Sequence, residues 1–275
     1  MYRILAAEGV EVSQIRREGT TTVALALVDG HGRHSFIGAY GKGRPLNLGD
    51  RETRMITGAD AVFASGYALA EARFAGLTLE ALLIAGQGGV PRFFDPGPAF
   101  TSLPPQVKRR ALASCDVLLL TEEELGELTE PGLEVLLPPA LRRILSGYSG
   151  VRSRPVRQST APAGPAAPAD AAGGPGAHTV VMKRGAGGCR VYTGDEQAVE
   201  VPGLAAPVRD TTAAGDCFDA AYIWAYIRGR SPEECARLAN CAGAAAVGKL
   251  GGGRNVPSVE ELRELTRKNG GGIQI

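Results

Sequence analysis

The chain has 275 residues, 44% of them apolar, which suffices for a substantial core in one large α/β domain or two small ones. Thirty basic residues against 29 acidic ones exclude a broad electrostatic attraction to nucleic acid or to an anionic membrane. No run approaches about 18 uninterrupted apolar residues and Met1–Glu8 lacks a signal-peptide core, so the expectation is a cytoplasmic protein without a membrane span.

Thr20 to Asp29 and Arg33 to Tyr40 are two β-like runs joined by Gly30-His31-Gly32, the composition of a β-hairpin turn. Apolar β-like runs follow at Ala61–Ser65, Val90–Phe94, Val117–Leu120 and Thr179–Met182. They alternate with helical patterns that include Leu77–Ala85, Val107–Ala113 and Leu133–Leu145. Short strands that are apolar on both faces suit a parallel sheet whose crossover helices hide each face from water. The predicted fold is a three-layer α/β/α sandwich with a mainly parallel sheet and a small β lid at about 20–40. Its chemistry belongs at the carboxyl ends of the strands.

From about Ser146 to Ala177 the chain is rich in Ala, Pro, Gly and Ser and too poor in apolar side chains to pack. The segment reads as a disordered insertion, with a basic tether through Arg152, Arg154 and Arg157 as the other reading. Beyond it, Asp216–Arg228, Pro232–Lys249 and Ser258–Lys268 read as helices, the last capped by Ser258. The five cysteines lack metal-ligand spacing and read as reduced thiols.

Between Asp210 and Phe218 a turn of small residues leads directly into an apolar helix. The first amides of a helix have no intrahelical partner, and Ala213, Ala214 and Gly215 put almost no side chain in the way of an approaching oxygen. Asp216 falls in the first turn, where a carboxylate is favoured as the anion and can accept a proton from a nearby hydroxyl. Phosphoryl transfer to an alcohol needs donors aimed at the transferring charge and a base that orients the attacking oxygen. The same residues suit an ordinary capped helix, with Thr211 or Thr212 as the cap. On spacing alone both readings stay open.

The string Asp210-Thr211-Thr212-Ala213-Ala214-Gly215-Asp216-Cys217-Phe218 resembles the signature of the ribokinase (PfkB) carbohydrate kinases, Asp-Thr-x-Gly/Ala-Ala-Gly-Asp-x-Phe, at every defined position. The resemblance implies an ATP-dependent kinase acting on a sugar hydroxyl. Asp216 would be the catalytic base, in contact with the substrate, and the amides of Ala213, Ala214 and Gly215 the anion hole. It also implies a monovalent-cation site, with potassium as the candidate ion, at Asp210 and Thr212 and at the carbonyls of Ala246, Lys249 and Gly251.

Lys183, Gly185 and Gly188, where a strand runs into a glycine turn, match positions that contact the nucleotide, and Asn240 matches one that borders adenine. On the residues alone, the stretch around Lys183 is equally a plain hairpin into Cys189–Tyr192. Thr121-Glu122-Glu123-Glu124 resembles an Asn-x-x-Glu element whose glutamate helps hold magnesium through water, with Thr121 standing in place of asparagine. Thr121 and Glu124 also have the spacing of a capping box. Asp95-Pro96-Gly97-Pro98 resembles a strand-end element near the active site, and Gly41, at the end of the lid hairpin, a substrate contact.

The resemblance covers one kinase domain over 1–275, from about Leu5 onward apart from the insertion, and lacks the family's N-terminal strand and sugar-binding residues. Two expectations follow: a start assigned too far downstream, or a catalytically impaired nucleotide-binding or regulatory member of the same fold. A dinucleotide-dependent oxidoreductase is the rival of another class, but no early strand precedes a complete Gly-x-Gly-x-x-Gly turn. The implied partner is a small sugar rather than nucleic acid or membrane, and a homodimer stays open. Ribose, fructose phosphates, ketodeoxygluconate and nucleosides are not distinguished.

Overall fold

The structure, a computed structural model, describes residues 2–13, 15, 19–28, 34–39, 41–42, 47–129, 132–146, 176–194 and 198–269. The chain divides into two compact units, residues 1–47 and 48–275. The first holds α1 (Tyr2–Ala7) and an antiparallel ribbon of β1 (Val23–Val28) and β2 (His34–Ala39). The ribbon runs in register from Val23 opposite Ala39 to Val28 opposite His34, as the hairpin pattern predicts, with its turn outside the described residues. Thr20 and Lys42 continue the pairing, the Thr20 amide donating to the Lys42 carbonyl at 2.7 Å. Gly41 sits in that continuation, where an added Cβ would come within 1.9 Å of the Thr20 carbonyl oxygen; close backbone approach requires glycine there.

The second unit is built on six strands in the spatial order β3 (Val62–Ser65), β4 (Arg92–Asp95), β5 (Val117–Thr121), β6 (Thr179–Lys183), β7 (Cys189–Thr193) and β8 (Val199–Val201). Strands β3 to β6 are parallel, and β7 and β8 add antiparallel. The helices in chain order are α2 (Asp50–Thr57), α3 (Gly66–Leu69), α4 (Ala72–Gln87), α5 (Pro105–Ala113), α6 (Glu122–Leu125), α7 (Pro139–Ser146), α8 (Ala214–Tyr226), α9 (Pro232–Val247) and α10 (Val259–Lys268).

Successive strand residues point to opposite faces, and both faces of this sheet are covered. Phe94, Leu118, Leu120, Val180 and Met182 pack with Leu79 and Leu82 of α4, Leu112 of α5 and Leu141 of α7. Phe93, Val117, Leu119 and Val181 pack in a second core with Phe218 and Tyr222 of α8 and Leu238 and Ala242 of α9. Each Val, Leu, Phe or Met side chain among them contributes about 1.5–3 kcal/mol by leaving water. The result is the expected α/β sandwich. Helix α8 buries Phe218, Ala221, Tyr222 and Ala225, a spacing that defines one helical face. At the amino ends of the strands, Arg92 grips Asp116 through Nε and Nη2 at 2.9 and 2.7 Å. Burial pushes the Asp116 carboxyl up, but the Arg92 fork outweighs it and holds the group below the usual carboxylate range.

Two expectations need correction. The helix predicted over Leu133–Leu145 is interrupted into a 3-10 turn at Glu134–Leu136 and α7, because Pro138 and Pro139 lack the amide hydrogens that would continue it. Residues 147–175 of the insertion lie outside the described residues, but its two ends are structured. Ser146 belongs to α7, and Ala177 is buried in the first core. The Cys189–Thr193 stretch is β7, paired antiparallel with β6 across the glycine turn, as the hairpin reading of these residues has it. All five cysteines are free thiols, as expected, and Ser258 caps α10 by accepting from the Glu261 amide.

Candidate active site

Helix α8 begins at Ala214, and no side chain caps it. Its N-cap residue, Ala213, has φ 62° and ψ 6°, the only non-glycine at positive φ among the described residues. A left-handed alanine costs about 1–2 kcal/mol, and strain of this kind clusters at functional sites. The kink leaves Gly215 and Asp216 exposed at the helix mouth. The first α-helical bond runs from the Cys217 amide to the Ala213 carbonyl at 2.9 Å, so the amides before it have no intrahelical acceptor. One of the three expected anion-hole amides is partly engaged: Ala214 donates to the Thr211 carbonyl at 3.2 Å. Neither threonine acts as the side-chain cap that the alternative reading needs. The Thr212 hydroxyl instead donates to Asp210 Oδ1 at 2.7 Å.

Asp210 organises the loops around this mouth. Its Oδ1 also accepts from the Thr212 amide at 2.9 Å, and its Oδ2 accepts from the Gly251 amide at 2.7 Å. The Arg209 and Asp210 amides donate to the Val247 carbonyl at the end of α9, and the Lys249 amide donates to the Ala246 carbonyl. The expected cation residues Asp210, Thr212, Ala246, Lys249 and Gly251 are therefore gathered in one place, with the Asp210 and Ala246 oxygens already accepting protein donors. The Lys249 ammonium turns to Glu261 at 2.8 Å. Gly252, which the sequence did not single out, is held against the kink: a Cβ there would lie 3.0 Å from the Ala213 methyl.

The carboxyl ends of the strands supply the rest. Lys183 was expected at the nucleotide, but its ammonium is buried and bonded to Asp95 Oδ2 at 2.9 Å and to Asp219 Oδ1 and Oδ2 at 3.1 and 3.3 Å. Burial works against the charged lysine, yet the two carboxylates outweigh it and hold the ammonium above the usual lysine range. Asn240 is likewise buried, its amide donating to the Val201 and Pro202 carbonyls at 3.2 and 3.1 Å, where it fixes the end of β8 rather than facing open space. Of the glycines, Gly185 is exposed at φ 53° with nothing near its missing side chain, which leaves an approach open. Gly188 at φ 83° serves packing, since a Cβ would meet the Val201 carbonyl at 2.1 Å.

Thr121 and Glu124 form the capping box that their spacing allows, Thr121 donating its amide to Glu124 Oε2 at 2.8 Å and accepting from the Glu124 amide at 3.2 Å. The Glu124 carboxyl is pushed above its usual range, chiefly by burial and further by Asp95. Among the described residues no three His, Cys, Asp or Glu side chains converge as a metal site. A magnesium ion that arrives with phosphate oxygens and keeps its waters requires only one or two protein carboxylates, which Glu124 fits. Asp95 Oδ1 accepts from the Gly97 amide at 2.8 Å, so the Asp95–Pro98 element is a turn whose carboxylate also belongs to the site.

Asp219 is the residue that sequence reading missed. It lies three positions after Asp216 on an otherwise apolar stretch of α8 and is 2% exposed. Its place between Phe218 and Ala221, on the buried stripe, was the available signal, because an acid is almost never fully buried without a partner.

A family model described as pfkB family carbohydrate kinase matches residues 1–259. The chain is 25% identical over 268 residues to the ribokinase of Arabidopsis thaliana, across 94% of this chain and 61% of that one. Over 82 residues it is 38% identical to an uncharacterized sugar kinase of Archaeoglobus fulgidus, 30% of this chain and 32% of the other. The chain thus spans less than two thirds of the length of these relatives. Its fold is that of a fructokinase with bound ATP from Xylella fastidiosa, with a TM-score of 0.73 and 20% identity over 98% of this chain and 80% of that one. With the signature turn at the mouth of α8 and the strand ends around it, the chain belongs to the pfkB family of carbohydrate kinases.

Proposed function

We propose that this protein transfers the terminal phosphoryl group of ATP to a hydroxyl of a sugar or sugar-like substrate. The observation that carries the proposal is the uncapped mouth of α8. A left-handed Ala213 turns the chain so that small residues and unbonded amides stand beside an exposed Asp216. Asp216 takes the proton from the attacking hydroxyl and orients its oxygen, while the amides of Ala213 and Gly215, with that of Ala214 once freed from Thr211, stabilise the charge in transit. Together these supply the two elements that phosphoryl transfer asks of a protein, positioning and electrostatic stabilisation.

Glu124 is the residue to hold magnesium through water, and Asp210 with the carbonyls of Ala246, Lys249 and Gly251 would hold a monovalent cation such as potassium. When bound with the nucleotide, magnesium neutralises phosphate charge. Gly185 lines the approach of the nucleotide. The match to a ribokinase makes ribose the first sugar to try. The test is a coupled assay of ADP release across ribose, fructose, ketodeoxygluconate and nucleosides. Sugar-dependent release supports the proposal; nucleotide binding without release from any of them would favour a catalytically impaired nucleotide-binding member of the family.

A further inference from the structure

Beneath the phosphate turn lies a buried charge cluster that the reaction as proposed does not use. Lys183 ends β6 opposite Thr121 of β5, and Asp95 ends β4 on the other side of β5. The lysine therefore reaches across the end of β5 to bring Nζ to 2.9 Å from Asp95 Oδ2. Asp219 of α8 meets the same nitrogen at 3.1 Å. Two strands and one helix are tied at a single atom, with Lys183 8% and Asp219 2% exposed. That atom also stands 3.8 Å from where a Cβ on Gly215 would be, against the turn that presents the free amides. Gly215 and Asp219, four residues apart, share one face of α8.

Stability alone does not account for this arrangement. A buried ion pair seldom outperforms apolar residues of the same volume, and here two carboxylates share one ammonium close to a site for a phosphate. We infer that Lys183 is a positioning residue for the phosphoryl transfer: through Asp95 and Asp219 it fixes the first turn of α8 to the strand ends, and its charge backs the Gly215 and Asp216 amides. The inference rests on the kinase reading above. Without the ammonium, the carboxyls of Asp95 and Asp219 are left without their cation beneath the turn, and the amides lose their anchor.

The full chain carrying Lys183→Met is assayed for sugar-dependent ADP release and, by calorimetry, for binding of ADP and of the non-hydrolysable ATP analogue AMP-PNP. The expected loss is about 100-fold in kcat, with KM for the sugar changed less than about threefold. AMP-PNP affinity falls at least about tenfold while ADP affinity holds, because only the analogue carries the terminal phosphate. Lys183→Arg, which keeps the charge and can bridge both carboxylates, regains part of the rate. A folded Lys183→Met protein with kcat within about threefold of wild type overturns the inference. Should that variant fail to fold, Asp219→Ala releases the helix and leaves Lys183 paired with Asp95. It is expected to lose about tenfold in kcat, and an unchanged kcat overturns the inference. The binding arm needs no sugar. A wild type that binds AMP-PNP but releases no ADP contradicts the kinase reading and leaves the AMP-PNP to ADP comparison to decide the role of Lys183. Failure to bind either nucleotide overturns both.

Discussion

The Gly251 amide donates to Asp210 Oδ2 at 2.7 Å, joining the glycine loop after α9 to the turn before α8. Two further donors, the amide and hydroxyl of Thr212, reach the other oxygen of the same carboxylate. Asp210→Ala removes all three acceptor contacts at once. It should lower stability by about 1–3 kcal/mol in urea unfolding, the range for losing charge-assisted hydrogen bonds. A change below about 0.5 kcal/mol would show that the two loops hold their places without it.

Ala213→Gly tests the strain at the helix mouth. Releasing a left-handed alanine returns about 1–2 kcal/mol, and the added freedom of glycine in the unfolded chain takes back about 0.5–1. The expected outcome is a small net gain in unfolding free energy, with Ala213→Val losing stability because a β-branched side chain tolerates positive φ least. Loss of stability in the glycine variant would mean that the kink is not strained.

Gly188→Ala should be among the most damaging small substitutions. It combines φ 83° with a Cβ placed 2.1 Å from the Val201 carbonyl and 2.4 Å from the Gly203 amide nitrogen. A loss on the order of 2–4 kcal/mol is expected from chemical denaturation, as both the backbone and its neighbour must move. Gly185→Ala, with positive φ but open space around it, should lose less.

Much of this was legible from local pattern. Adjacent phenylalanines at 93 and 94 fall in opposite cores because a strand has period two, and the doubly apolar runs announced a sheet covered on both sides. The small-residue turn before Phe218 marked the mouth of α8 for the same reason: the residue types themselves carry the chemistry. What local pattern does not hold is pairing at a distance. Lys183 meets Asp95 across 88 positions and Asp219 across 36, so the partners of this lysine beside a glycine turn cannot be read from its neighbours in the chain. The same holds for Asn240, whose two acceptors belong to a strand end 39 and 38 positions away. The left-handed conformation of Ala213 is equally invisible, since alanine is not a residue that signals positive φ.

The triad also gives a pH dependence of stability. The Asp219 carboxyl is pushed well above the usual carboxylate range, by burial and by Asp95 alongside, against the pull of Lys183. A folded value above the unfolded one, about 3.9, means that the folded state binds the extra proton in between. Wild type should therefore lose stability relative to Asp219→Asn as pH rises from about 4 through the raised folded value, in unfolding curves measured at a series of pH values. Parallel curves for the two proteins would contradict the shift.

Asp216→Asn tests the central claim most directly, because it keeps the shape of the helix mouth and removes only the capacity to accept a proton. Sugar-dependent ADP release is measured alongside calorimetric binding of AMP-PNP and the melting temperature. The account predicts that release falls by at least about 100-fold while binding and melting stay close to wild type. Turnover retained within about threefold in the folded variant would contradict it.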